Sequence, residues 1–338
     1  MAESAGSSAS NRGLRRVGTT IMLLSLSAML VETFVPGGLV RSPPPRAHAL
    51  AVLRGFSARW RSQGQFAEGE PPVGDKEGYW TGKMPPHNVE PPWCEADYAV
   101  TPYIAEFWNT LTSVPLVAVG FYGIWRHHRT VYGLEPRFWF SFFAFIAVGA
   151  GSVLFHATLW RVGQVLDELP MVWGNSAFIF ACVTMEDRPG VTRTGTAALF
   201  FGVTAAITVF YFRNPDEHAA FLLSYGLGVL ALVVLSFRMR ALPKGCPPLM
   251  ELSLCAYFFG LLLWVCERSF CPAVQPLQLH ALWHLFAGFG TYTLNLYWVF
   301  QRWGYLQRKP EVCGPWAARY IVGSEAGMQL PSVRDRRD

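Results

Sequence analysis

Three of the chain's eight histidines, His156, His280 and His284, have the type and setting to hold a metal ion. His280 and His284 are four residues apart, a spacing that puts both imidazoles on one face of a helix. His156 closes an apolar stretch with Ser152 one turn earlier, and Asp167 and Glu168 open the next such stretch. Three imidazoles are the protein ligand set of a catalytic zinc, which keeps its fourth position for water. Zinc so held acidifies water to a pKa of about 7 and polarises carbonyls, so the chemistry indicated is hydrolysis. Asp167 is then the candidate general base or proton shuttle, and Ser152 a hydrogen-bond donor to the water or to a developing oxyanion. Taken singly, each has a plainer reading: a histidine bonded in a core, a serine bonded to its own helix, an aspartate capping a helix. Their convergence at one depth favours the metal.

A second group of acids precedes the first long apolar stretch: Glu95 and Asp97 in "WCEADYAV", then Glu106. Their oxygens suit a hard cation such as calcium, which takes six to eight oxygen ligands. They suit a helix N-terminus equally well, and spacing alone does not choose. The seven cysteines are dispersed with no Cys-x-x-Cys pair, which speaks against a thiolate metal site. Cys94 and Cys271 fall on the same face of the membrane; in an oxidising lumen they can pair, and otherwise they are two free thiols.

These residues must be positioned by helices in lipid. Hydrophobic residues make up 51% of the 338 and charged ones only 15%, against about 25% in soluble domains. Seven segments reach the roughly 20 apolar residues of a membrane span: 103–125, 136–156, 165–184, 195–212, 218–237, 248–266 and 278–301. The expected fold class is an all-α integral membrane protein, a seven-transmembrane-helix bundle with an N-terminal extension. Alternate loops on one side carry Arg126, Arg129, Arg137, Arg188, Arg193, Arg238, Arg240, Lys244, Arg302, Arg308 and Lys309, whereas the other side has Arg161, Arg213 and Arg268. That asymmetry places the C-terminus in the cytosol. The net charge of +5 therefore reads as topology, and no nucleic-acid partner is expected. With this parity Ser152, His156, Asp167, His280 and His284 share one level on the non-cytosolic side. Ionisable groups at membrane depth are costly and mark function.

Three regions are expected: a targeting leader or disordered extension over 1–75, the seven-span domain over 76–303, and a polar cytosolic tail over 304–338. The leader has Arg12, Arg15 and Arg16 before an apolar run from about Thr20 to Val31, as in a signal peptide or anchor. Its stretch from Thr33 to Ala67 has no acid, and all its strong bases are arginine, as in plastid transit peptides. The expected location is an endoplasmic reticulum or Golgi membrane with the site on the luminal side, and a plastid membrane is the alternative.

The motifs "WCEADYAVTPYIAEFWNT" (93–110), "GAGSVLFHATLWRVGQVLDELPMVW" (149–173) and "LQLHALWHLFAGFGTY" (277–292) resemble the alkaline ceramidases, of the seven-span hydrolases that include the adiponectin-type receptors. The resemblance runs from about Gly78 to Trp303. It implies zinc at His156, His280 and His284 with Ser152 and Asp167 beside it. It further implies calcium held by the Trp93 backbone, Glu95, Asp97 and Glu106, and a Cys94–Cys271 disulfide. The chain departs from the family where Pro92 replaces an Asp and Asp97 an Asn. The implied substrate is a ceramide-type lipid reached from the surrounding membrane lipid. Its amide would be cleaved to a fatty acid and a sphingoid base, with Phe155, Trp173, Phe178, Leu261 and Phe286 holding the chains. The alternative is a receptor-like protein with a structural zinc. A retinal protein is excluded by the lack of a lysine in the seventh span, and a metal transporter by the gathering of metal-type residues at one end.

Overall fold

Every apolar stretch of spanning length becomes a helix. The computed structural model describes residues 75–83, 93–127, 135–187, 193–214, 218–240 and 247–307. The expected leader up to residue 74, Pro92, His48, His87, His128 and the tail beyond Gln307 lie outside the described residues. Among the described residues seven α-helices follow one another: α1 (Phe107–His127), α2 (Pro136–Thr158), α3 (Arg161–Val183), α4 (Thr194–Arg213), α5 (His218–Arg240), α6 (Pro247–Val274) and α7 (Leu279–Gln307). Among the described residues there is no β-strand, only an isolated bridge between Thr101 and Ile104.

Five of the seven helices are long and apolar enough to cross a membrane: α1, α2, α4, α5 and α6. The other two, α3 and α7, are 23 and 29 residues long. What sets them apart is polarity, and they are the helices that bring Asp167, His280 and His284. Helix α3 also begins at Arg161, four residues before the expected 165, so Asp167 is nearly two turns inside it and the capping role falls away. Helix α7 runs on to Gln307, beyond the expected domain limit at 303.

Only Leu159 and Trp160 separate α2 from α3, and Leu159 turns the chain in a left-handed conformation (φ 55°). So short a link makes the two helices antiparallel neighbours. Gly151 sets how close they come: a Cβ there would stand 2.0 Å from the Leu166 carbonyl oxygen. Pro170 has no N–H to offer that carbonyl. Small residues at such crossings are the usual device of membrane helices. Helix α7 packs chiefly on α6 and α1, while α4 touches α3 and only lightly α5. The core lies between α2, α3, α5, α6 and α7, around Phe138, Phe142, Phe258, Met250, Tyr297 and Trp298.

The segment before α1 is tied to the end of α2. The N–H groups of Ala105 and Glu106 donate to the carbonyls of Ala157 and His156, at 3.0 and 2.9 Å. These are carbonyls that a helix C-terminus leaves unpaired. Cys94 and Cys271 are joined by a disulfide that fastens the same segment to the end of α6, across a sequence separation of 177. In the chain-entropy account a loop of that length contributes about 5 kcal/mol.

Candidate metal centre and active site

Helices α2 and α7 bring the three imidazoles to one end of the bundle. His156, His280 and His284 are all buried, and each offers a ring nitrogen such that all three lie within 4.8 Å of one another. The ring centroids are 5.2, 5.0 and 4.6 Å apart.

Their partners decide which nitrogens are free. Nδ1 of His156 lies 2.5 Å from Glu106 Oε2, an acceptor, so Nδ1 carries the proton and Nε2 keeps its lone pair. That Nε2 is buried without a hydrogen-bond partner. Nδ1 of His284 lies 3.2 Å from the Asn109 carbonyl oxygen, with the hydroxyls of Ser113 and Thr112 at 3.1 and 3.2 Å. It too is engaged, which leaves Nε2 for another bond. The backbone N–H of His280 donates to Glu267 Oε2 at 2.6 Å, its ring packs on Trp93 at 4.3 Å, and its Nδ1 is buried without a partner. Buried imidazole nitrogens with no partner are rare unless something outside the chain meets them. A divalent metal of the zinc type fits this donor set.

The carboxylate and hydroxyl expected beside the triad are there. Ser113 Oγ donates to Ser152 Oγ at 3.0 Å, and Ser152 in turn bonds the Asp167 carboxylate. Ser152, Asp167, His280 and His284 all line one cavity of about 220 Å³ that runs inward between α2, α3, α5, α6 and α7. Phe178 and Leu261 line it as expected. Phe155, Trp173 and Phe286 do not: Phe155 is fully buried in packing, and Trp173 faces a different groove, between α2, α3 and α4.

The second acidic group is only partly a cluster. Both oxygens of Glu95 accept backbone N–H bonds from the start of α1, from Trp108 at 2.7 Å and Asn109 at 2.9 Å. Glu95 therefore caps α1. Glu106 accepts from Asn109 Nδ2 at 3.0 Å as well as facing His156. Among the described residues Asp97 receives no such help: its backbone N–H donates to Asp75 Oδ1 at 2.8 Å, while its carboxyl is half-buried among acids. Burial first, then the Glu106 charge, pushes the Glu95 carboxyl up to about 7. Burial, then Glu106, Asp75 and Glu95, pushes Asp97 up to about 8. Among the described residues these acids do not converge as tightly as the histidines.

The sequence reasoning did not single out Asn109, Thr112 and Ser113, which hold His284, or Glu267, which holds His280. The first set was detectable, because Glu106, Asn109 and Ser113 form a polar stripe at helical spacing along an otherwise apolar α1. His218 opens α5 half-buried, with Nδ1 3.3 Å from Glu168 Oε1. Glu168 also accepts from Gln164 and Tyr211, a knot joining α3, α4 and α5.

Residues 86–323 match the family described as Ceramidase. The chain is 30% identical over 256 residues to alkaline ceramidase 3 of Mus musculus, covering 71% of this chain and 92% of that protein. The chain belongs to the alkaline ceramidase family. It is accordingly a hydrolase of the ceramidase class. Similarity extends to the alkaline ceramidase of Arabidopsis thaliana, 29% identical over 223 residues, 62% of this chain and 82% of that one. It extends also to alkaline ceramidase 1 of Homo sapiens, 28% identical over 200 residues, 57% of this chain and 75% of that one. For this ceramidase-family chain, the matched region contains every residue of the triad together with Ser152 and Asp167.

Proposed function

We propose that the chain is a zinc-dependent amidase that cleaves ceramide to a fatty acid and a free sphingoid base within a membrane. The observation that carries this reading is the buried triad with unpartnered Nε2 of His156 and Nδ1 of His280, two of whose members, His280 and His284, line one cavity with Ser152 and Asp167. His156, His280 and His284 would hold the metal, which supplies Lewis acidity towards the amide carbonyl and towards water.

The chain's own groups then have defined tasks. Glu106 fixes the His156 ring with its proton on Nδ1, and Asn109 does the same for His284. Asp167 takes the proton of the attacking water and passes it to the departing amine nitrogen. Ser152 holds the Asp167 carboxylate in place, and Ser113 holds Ser152. The largely apolar cavity excludes water from all but the reacting end.

All seven helices span the membrane in this reading, with the site on the luminal side of an endoplasmic reticulum or Golgi membrane. A calcium ion bound through Asp97 and Glu106, with the Trp93 backbone, would neutralise the acids that burial leaves uncompensated. Glu95 would join it only by sharing the oxygens that now cap α1.

The test is hydrolysis of a fluorescent ceramide by purified chain, run beside zinc analysis. Zinc should co-purify, and His280→Ala should lose both zinc and amide hydrolysis. Full activity in that variant, or in metal-stripped protein, would overturn the reading.

A further inference from the structure

The cavity that holds Asp167 abuts a second, larger one. Between α2, α3 and α4 runs a groove of about 810 Å³, open on the outer surface of the bundle where Phe140, Phe143 and Phe201 stand exposed. Ala144, Pro170 and Gly174 line both spaces. Along α3, Asp167, Pro170 and Gly174 lie on one face, so the shared wall begins one turn from the candidate base. The wall is thin because its side chains are small: a Cβ on Gly174 would meet only the Ala144 Cβ, at 3.2 Å.

Resting on the amidase reading above, we propose that the fatty acyl chain of the substrate leaves the reacting centre past Ala144 and Gly174 and lies in the α2–α3–α4 groove. The acyl chain starts at the carbonyl carbon, which must sit beside Asp167, so its first carbons lie against this wall. It is plain hydrocarbon, and the hydroxyls of the groove suit that. Thr204 donates to Ser176 and to its own helix, and Thr208 bonds its own helix and receives Trp173 Nε1–H. None is left in need of a polar ligand. The sphingoid base carries hydroxyls of its own near the amide, and the first cavity offers Thr291 along its wall with Ser152 and Asp167 at its reacting end. Two hydrocarbon chains thus have two slots of matching chemistry.

Acyl length is therefore selected on α3. Gly174 lies ~10 Å along the helix from Asp167, and Ala177, which lines the groove alone, lies ~15 Å from it. Ceramides of one sphingoid base with hexanoyl or octadecanoyl chains provide the measurement. Gly174→Leu and Ala177→Trp should each lower kcat/KM for the octadecanoyl substrate by about tenfold or more, leaving the hexanoyl substrate near the unaltered chain's value. Ala177→Trp keeps the test open if Gly174→Leu folds poorly, since residue 177 does not touch the first cavity. An equal loss on both substrates, or an unchanged octadecanoyl rate in Ala177→Trp, would overturn the proposal. A ceramide with a photoreactive group at the acyl terminus gives a readout independent of turnover. Adducts on Phe143, Phe201 or Ala205 support the groove, whereas adducts on Leu232 or Trp298 at the depth of the first cavity sink it. Failure of the unaltered chain to cleave either ceramide would instead remove the amidase reading, and the proposal with it.

Discussion

At the scale of single residues, the site is defined as much by what orients the imidazoles as by the imidazoles themselves. Glu106 directs Nε2 of His156 into the triad by accepting a hydrogen bond from Nδ1, so Glu106→Gln should weaken zinc retention and activity together, by about 10- to 100-fold, as loss of such partners does elsewhere. Titration with a competing chelator would measure the affinity; unchanged zinc affinity would count against the assignment. The acids before α1 give a pH-dependent prediction of known sign. Glu95 and Asp97 sit at about 7 and about 8 in the fold, above their ordinary values, so folding favours their protonated forms. That contribution is whole below about pH 4 and is lost as pH rises through about 7 and about 8. The thermal midpoint of calcium-free chain should therefore fall over that upper range, Asp97→Asn should flatten the fall, and calcium should reverse it. Differential scanning fluorimetry from about pH 5 to about pH 9 reads all three. The triad was legible in the sequence because histidine is expensive in lipid, and Pro92 and Asp97 marked the acids as the place of departure from the family. That Glu95 caps α1 was one of the two readings the sequence left open, and the choice between them depends on the chain folding back over the end of α2.

At the scale of elements, five of the seven described helices are legible from apolar length, and the errors cluster where polarity interrupts it, in α3 and α7. The start of α3 was expected too late because Arg161, Gln164, Asp167 and Glu168 dilute its first two turns. His218 opens the expected 218–237 span, but no sequence rule foretells that Glu168 of α3 will meet it there. What joins α2 to α3 is Gly151, whose missing side chain admits the Leu166 carbonyl and sets Ser152 beside Asp167. Gly151→Val must push the helices apart or distort both, at a cost of about 1–3 kcal/mol or more for overpacking. A lowered melting temperature is expected, together with a loss of kcat greater than the loss of folded protein, because the Ser152–Asp167 bond opens even in molecules that fold. If kcat per folded molecule were unchanged, the close crossing would be a packing device alone.

Across the whole molecule, buried polarity is divided between two ends with different tasks. The histidine end leaves nitrogens unpartnered. The opposite end satisfies its charges: Arg302, fully buried, donates to Glu135 at 2.7 and 3.0 Å and to the carbonyls of Met185 and Asp187 at 2.6 and 2.7 Å. Arg137 pairs with the other Glu135 oxygen and with the Thr184 carbonyl. One arginine of α7 thus fastens the start of α2 to the end of α3, and those helices carry His156 and Asp167 at their far ends. Removing one partner of a buried pair is destabilising by about 3–5 kcal/mol, since it strands the other charge. Arg302→Met should accordingly lower the melting temperature strongly, yet the molecules that remain folded should keep their zinc and their turnover. Glu106→Gln should do the reverse, sparing the melting temperature more than the zinc. Measuring zinc content, turnover per folded molecule and melting temperature in both variants separates the two ends. Loss of zinc from folded Arg302→Met protein would show that the Arg302 fastening positions the triad through the length of α7, and that the ends are not independent.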